Sequence, residues 1–477
     1  MRYYRNAYYS SLGTKVRSSL FVLIGIGILS IAVNTALPGL ISRGSQEVIY
    51  EPANILVDPT ITQGPLQKPW ANLAQGGEDH AWDITPITAK VAALQPRYIR
   101  IDHVYDFFPI VGGSPGNLTF DFNQFDVLLD DILATGALPY IALSYMPPAI
   151  AYGDIVSQPQ LYSDWELVVQ KTIEHVSGTR NIPNVYYEVW NEPDLFGNWR
   201  TYGFKNYLTL YESASNGAKK ATVKQSFKLG GPAVTKPYRN WILSLAKLKA
   251  NRNARLDFIS WHRYSTDINI FRTDAARVRD WLAEVPSVAN TVELHLTEWG
   301  HDSEIGPEYD TQYSAAFTAA VALQLEGVVD KAFLFEIQDG KDPGGRALWG
   351  RWGLLTHGDF GSVPKPRYYA LKFLNSISGQ KIQTTGAGTY VKVLAARTNS
   401  GEVRVLLANF DPLGTNTETV PVTLQNLPPA EYQITTENQS QVLTSNTFRL
   451  SSTQNYQLLV PMNPQTVAAI TLKPIGR

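Results

Sequence analysis

The stretch from Asn184 to Trp199, Asn-Val-Tyr-Tyr-Glu-Val-Trp-Asn-Glu-Pro-Asp-Leu-Phe-Gly-Asn-Trp, constrains this chain more than any other. Val185, Tyr187 and Val189 alternate with Tyr186, Glu188 and Trp190 in a run rich in β-branched and aromatic residues, which predicts a strand lined on both faces. Pro193 cannot donate a ladder hydrogen bond and restricts the residue before it, so the strand ends there with Glu192 at its C-terminal end. Thr291 to Gly300, Thr-Val-Glu-Leu-His-Leu-Thr-Glu-Trp-Gly, has the same form and ends on Glu298.

Around these two stretches, strands alternate with helical patterns, the signature of βαβ units and a parallel sheet. Strands are expected over Trp70–Gln75, Arg97–Asp102, Leu138–Leu143, the opening stretch, Phe227–Leu229, Asp257–Trp261, Val292–Thr297 and Lys331–Phe335, with a helix near 121–135. Eight such strands imply a closed (β/α)8 TIM barrel over 66–379, whose C-terminal strand ends carry the chemistry. Residues 349–366 are rich in Gly, Pro and Trp, as an active-site loop would be, and Tyr368 to Ile377 supplies the last helix. From 380 to 477 short alternating runs separated by Asn, Gly, Pro and Ser predict an all-β sandwich. Residues 42–65 read as a linker in which Ile55-Leu56-Val57 can add a strand to that sandwich.

At the N-terminus, residues 1–18 carry Arg2, Arg5, Lys15 and Arg17 with no acidic residue, and 19–41 form an uncharged, mostly apolar run. That length suits a transmembrane signal-anchor with its basic flank in the cytoplasm and the rest extracytoplasmic. The competing reading is a cleaved signal peptide; Asn34-Thr35-Ala36 with Pro38 close behind is a poor cleavage pattern.

Composition excludes several classes. A net charge of −1 from 41 basic and 42 acidic residues leaves no electrostatic footprint for nucleic acid. With no cysteine there is no disulfide, thiolate metal site or thiol nucleophile. P-loop and GxGxxG motifs and internal repeats are absent, so no cofactor is expected. Nor is a metal: His262, His295 and His301 lie near strand ends, but without an HExxH or His-x-His spacing. The aromatic fraction, 11% with 11 Trp and 25 Tyr, fits both sugar stacking and large aromatic cores.

Two strand-end carboxylates are what glycoside hydrolysis needs: one protonated to release the leaving oxygen, one ionised to attack or to activate water. The alternative is two solvated or salt-bridged glutamates. Trp190-Asn191-Glu192-Pro193-Asp194-Leu195 and Leu296-Thr297-Glu298-Trp299-Gly300 resemble the acid/base and nucleophile motifs of glycoside hydrolase clan A, in particular family 39, over roughly 66 to 377. The resemblance implies a retaining glycosidase with a carbohydrate substrate, Glu192 as acid/base and Glu298 as nucleophile, about 5 to 5.5 Å apart. It further implies that Arg100 supports the nucleophile, Asn191 binds the sugar 2-hydroxyl, and His262 and Tyr264 line the cleft after the sixth strand. For Arg100 an ordinary core ion pair with Asp102 or Glu188 is the other reading.

Two departures from the family stand out. The second-strand Arg-x-His becomes Arg-x-Asp-His here, leaving open whether Asp102 or His103 faces the cleft. After strand eight, where the clan commonly carries a tryptophan under the sugar, the chain has Phe335 followed by Glu336. Tyr145 and Trp349 are candidate sugar platforms or plain packing. Transglycosylation by the same two glutamates, and a catalytically silent glycan-binding envelope protein, are the competing functions.

Overall fold

The computed structural model describes residues 50–475 except Glu78 and Ala81. The anchor expected over 19–41 lies outside the described residues; among these, no helix is long and apolar enough to cross a membrane.

The first strand, β1 (Ile55–Pro65), precedes the barrel. The barrel strands are β2 (Asn72–Gln75) and β3 (Tyr98–Ile101), then, after a β4–β5 hairpin (Val111–Ser114 and Asn117–Phe120), β6 (Leu138–Leu143), β7 (Val185–Val189), β8 (Phe227–Val234), β9 (Phe258–Tyr264), β10 (Glu293–Gly300) and β11 (Lys331–Phe335). These eight close on themselves, β11 pairing with β2, and every ladder is parallel. A helix follows each strand: α1 (Thr88–Ala92), α2 (Asn123–Ala134), α3 (Tyr162–Ile173), α4 (Tyr207–Lys220), α5 (Arg239–Arg252), α6 (Ile270–Ala283), α7 (Gln312–Leu325) and α8 (Pro366–Asn375). The strand continuing to Val234 is longer than the apolar triplet at Phe227 predicts. Likewise β9 runs on to Tyr264, so His262 and Tyr264 are strand residues rather than loop residues.

Much of the aromatic content fills the barrel lumen. Tyr140 packs against Tyr186, Phe258 and Phe333 with ring centroids 4.5–5.6 Å apart, and its hydroxyl meets His295 Nδ1 at 3.1 Å. Below this layer Glu293 accepts from Tyr186 Oη (2.9 Å) and Lys331 Nζ (3.3 Å), lies 2.9 Å from His295 Nε2, and pairs with Lys228. His295 is thereby a lumen residue, far from any strand C-terminus.

The C-terminal strands are β12 (Gln380–Thr385), β13 (Val391–Arg397), β14 (Val403–Asn409), β15 (Glu418–Leu427), β16 (Glu431–Asn438), β17 (Val442–Arg449), β18 (Gln454–Met462) and β19 (Thr466–Ile475). With β1 they form one nine-stranded sheet, order β17-β16-β19-β14-β13-β12-β1-β15-β18, folded over a core of its own as an all-β sandwich. β1 lies between β12, antiparallel, and β15, parallel. Helix α7 is apolar nearly all round because it is buried on both sides: Phe317 packs on the barrel's Trp299 and, with Tyr313, on Phe410 of the sandwich.

Ile55 and Val57 are wholly buried in the sandwich core. Ile55→Ala is expected to destabilise that domain by about 2–5 kcal/mol. All 11 tryptophans precede residue 380, so calorimetry should show an early transition that tryptophan fluorescence, which reports the barrel, does not follow. Coincident shifts in both probes would show that the two domains unfold as one.

Candidate active site

Arg100 on β3 is removed from water and uses three donors. Nε donates to Glu188 on β7 (2.7 Å), Nη1 to Glu298 Oε1 on β10 (3.0 Å) and Nη2 to Asn191 Oδ1 (2.7 Å). Burial opposes its charge, but Glu188, Glu298 and Asp102 outweigh burial and raise its pKa above the usual arginine range. The core ion pair with Glu188 and the contact with Glu298 therefore coexist in one guanidinium.

Glu192 lies three residues beyond the end of β7, in a turn rather than in the strand. Trp190 (φ 75°) and Glu192 (φ 44°) hold left-handed backbone conformations, which cost of order 1–3 kcal/mol each and persist only where the surroundings fix them. Here Glu192 N–H donates to Ala233 O (3.0 Å), its carbonyl accepts from the Leu195 and Phe196 amides, and Asp194 accepts from the Thr235 amide at 3.0 Å. The turn after β7 is thus pinned to the end of β8. Glu298 is aimed by a different device: the β9–β10 register slips between Leu296 and Glu298, a bulge of the kind that redirects side chains beside active sites.

The two carboxyls meet at His262. Its Nδ1 is 2.8 Å from Glu192 Oε1 and 3.4 Å from Glu298 Oε2, and Tyr264 Oη donates to the same Glu298 oxygen at 2.9 Å. Burial pushes Glu192 up to about 8, with Asp194 and Asp102 adding to it. Burial also raises Glu298, to about 7; His262 and Arg100 pull it back, which leaves it the more acidic of the two. Burial lowers the pKa of His262, while Glu298 opposes that shift.

Around this centre the other candidates divide. Asp102 takes the position left open beside Arg100: its Oδ2 accepts from Asn191 Nδ2 at 3.1 Å. His103, turned by a left-handed backbone (φ 55°), instead has Nδ1 2.7 Å from Asp106 and stacks on Phe107. Tyr145 is a packed ring, not an open platform: it is 3% exposed against Trp190, Phe196 and His103, and its hydroxyl accepts from Asn191 Nδ2 at 3.0 Å. Phe335 is buried with its ring 5.4 Å from that of Trp352, so an indole does stand behind the phenyl, supplied from a later loop. Gly76 gives Phe335 room, since a Cβ there would lie 2.7 Å from Cζ. Glu336 is fully buried, accepts from Gln75 Nε2 (3.0 Å), and has its pKa raised well above the usual carboxylate value by burial and by Asp339. Trp349 is half-buried, with the Arg351 guanidinium 5.2 Å above its ring, and that same group lies 3.8 Å over Trp352.

Glu192, His262 and Glu298 also offer three ligand atoms within 4.8 Å of one another. They are the residues that could hold a cation. Arg100 and Tyr264 already occupy one Glu298 oxygen each, and the guanidinium 3.0 Å away opposes a second positive charge.

A profile of glycosyl hydrolases family 39 matches residues 53–428, most of the chain. The chain belongs to this family. As a member it is a glycoside hydrolase. It is 27% identical over 343 residues to a beta-xylosidase of Caldicellulosiruptor saccharolyticus, covering 65% of this chain and 68% of that one. A beta-xylosidase of Geobacillus stearothermophilus is 26% identical over 330 residues, 61% of this chain and 62% of that protein. Among solved structures, a monomeric beta-xylosidase from Caulobacter crescentus CB15 shares the fold with a TM-score of 0.74 at 20% identity, covering 89% of this chain and 100% of that one.

Removing the Tyr264 hydroxyl takes away a donor that favours ionised Glu298. Tyr264→Phe should therefore move the acidic limb of the kcat/KM profile upward by about 1 pH unit while leaving the alkaline limb in place. A profile that loses height without moving would refute this coupling.

Proposed function

We propose that this glycoside hydrolase is a retaining enzyme for β-linked xylose residues, with Glu192 as general acid/base and Glu298 as nucleophile. The observation that carries the reading is the carboxyl spacing, an oxygen of each glutamate lying within 4.8 Å of the other. A retaining pair stands about 5–5.5 Å apart, whereas an inverting pair, which must admit a water, needs about 6.5–9.5 Å. The order of the two pKa values supports the same roles, the acid being the higher.

In the first step a Glu298 oxygen attacks the anomeric carbon while the bond to the leaving oxygen breaks and that oxygen takes the Glu192 proton. This yields a glycosyl ester on Glu298 and a free alcohol. Glu192, now ionised, removes a proton from water; the water oxygen attacks the anomeric carbon and Glu298 departs as carboxylate. Arg100 and Tyr264 hold one oxygen each and stabilise the carboxylate at the start and at the end. Asn191 Oδ1, already accepting from Arg100, has a second lone pair for the sugar 2-hydroxyl.

Xylose as the sugar is supported by the names of the two relatives. An extracytoplasmic site of action is part of the proposal and rests on the basic and apolar N-terminal sequence alone.

Activity needs ionised Glu298 and protonated Glu192. It falls below about 7 as Glu298 takes up a proton and above about 8 as Glu192 loses one, so the kcat/KM profile should be a bell centred between them. Incubation with 2-deoxy-2-fluoro-β-xylosyl fluoride should leave the sugar on the peptide bearing Glu298, read by mass spectrometry. Glu298→Ala should lose at least about 10⁴-fold in kcat. Glu192→Ala should lose about 10²–10⁴-fold in kcat/KM on xylobiose and much less in kcat/KM on β-xylosyl fluoride, whose leaving group needs no proton, while kcat on the fluoride stays low because the water still lacks its base. Release of xylose with inverted configuration, followed by NMR, would sink the nucleophile assignment.

A further inference from the structure

Past Glu192 the chain leaves the barrel and exposes large side chains. Phe204 is 79% exposed, Tyr202 70% and Leu195 56%; Tyr152, from the loop after β6, is 68% exposed. Single exposed apolar residues are ordinary, but a contiguous group marks a binding surface. Tyr152 and Phe204 are contiguous, their rings meeting edge to face at 6.4 Å, and Leu195 and Tyr202 stand on the same stretch of chain as Phe204.

The group is built on rigid supports. Arg200 N–H donates to Lys205 O (3.0 Å) and Tyr207 N–H to Arg200 O (2.8 Å), a clasp that holds Tyr202 and Phe204 at the tip of the 200–206 turn. Beneath it Trp199, fully buried, packs edge-on against Trp190, and Lys205 Nζ lies 5.2 Å over the Trp199 ring. The two loops press together at Gly197 (φ 90°), where a Cβ would lie 2.5 Å from Val156 O. At its near end the turn is tied to the acid itself, the amides of Leu195 and Phe196 donating to the Glu192 carbonyl at 3.0 and 2.8 Å.

We propose that Tyr152, Leu195, Tyr202 and Phe204 form a shelf for the sugar units on the leaving-group side of the scissile bond. The inference rests on Glu192 being the acid. The group it protonates departs on its side of the cleft, so whatever is attached to that oxygen runs out over the turn that continues from Glu192. Pyranose rings present an apolar face of C–H groups that packs on aromatic rings, while the two tyrosine hydroxyls remain free to bond sugar hydroxyls at the shelf's wet edge. The enzyme then recognises an oligosaccharide, not merely a terminal residue, and its efficiency rises with chain length.

The test compares the full chain with a Tyr152→Ser, Tyr202→Ser, Phe204→Ser variant on β-xylosyl fluoride, xylobiose, xylotriose and xylotetraose. The fluoride has nothing to place on the shelf. The wild-type protein should show kcat/KM rising from xylobiose to xylotetraose, the variant should lose about tenfold on xylotetraose, and both should turn over the fluoride equally, which also proves the variant folded. Phe204→Tyr should keep most of the gain. A wild-type kcat/KM independent of chain length, or an equal loss on every substrate, would overturn the shelf. So would an unchanged chain-length profile in a variant that has lost binding to phosphatidylglycerol vesicles or self-association in light scattering, since the shelf would then serve a membrane or a second copy. Failure of the wild-type protein to hydrolyse a panel of glycosyl fluorides would instead overturn the glycosidase reading beneath it.

Discussion

A guanidinium cut off from water and surrounded by three acceptors sets the terms for everything above the barrel core. Arg100 satisfies Glu188, Glu298 and Asn191 at once, groups supplied by β7, by β10 and by the turn that follows β7. Removing the arginine would leave Glu188 and Glu298 buried without a counter-charge, which is far more costly than never having buried them. The constellation is therefore self-enforcing: β3, β7 and β10 must sit in one register for the cation to be neutralised, and in that register the two carboxyls converge on His262. With His262, the same charge helps hold Glu298 below Glu192 in pKa, so the arginine that specifies the register also sets the two carboxyls apart.

How much of this could be read from the residues depends on how local the cause is. Glu192 and Glu298 were legible because strand periodicity and a following proline, or a strand end, are local signals. Arg100 was legible in its contacts but not in its doubling, since nothing in sequence says that one arginine faces both Glu188 and Glu298. The exchange between Asp102 and His103 was not legible: a left-handed turn at His103 decides which side chain enters, and a histidine gives little warning of that. Trp352 was hidden because its partner Phe335 is on a strand and the indole returns from a loop. The β4–β5 hairpin was missed since each arm has four residues, too few to show alternation, although Pro115-Gly116 at its turn was a cue.

Aromatic content illustrates how composition misleads when read without position. Tyr140, Tyr186, Phe258 and Phe333 fill the lumen, where a parallel barrel needs bulky side chains simply to close. Tyr145 and Trp352 brace the site from behind. Few of the rings that raise the overall count stand in water.

The first strand of the sandwich has another consequence. Leu56 pairs with Thr385 on one side and with Thr423 on the other, so the ribbon that opens the described chain is completed only by strands that close it. A ribosome delivers β1 before the barrel and both of its neighbours after it. Throughout that interval the strand has two open edges, and its apolar residues have no core to enter. The barrel, whose ladders join neighbours in sequence apart from the single closure of β11 onto β2, can form on its own schedule. The sandwich cannot: it closes only once the strands that follow the barrel exist, and so ties the segment before the barrel to the segment after it.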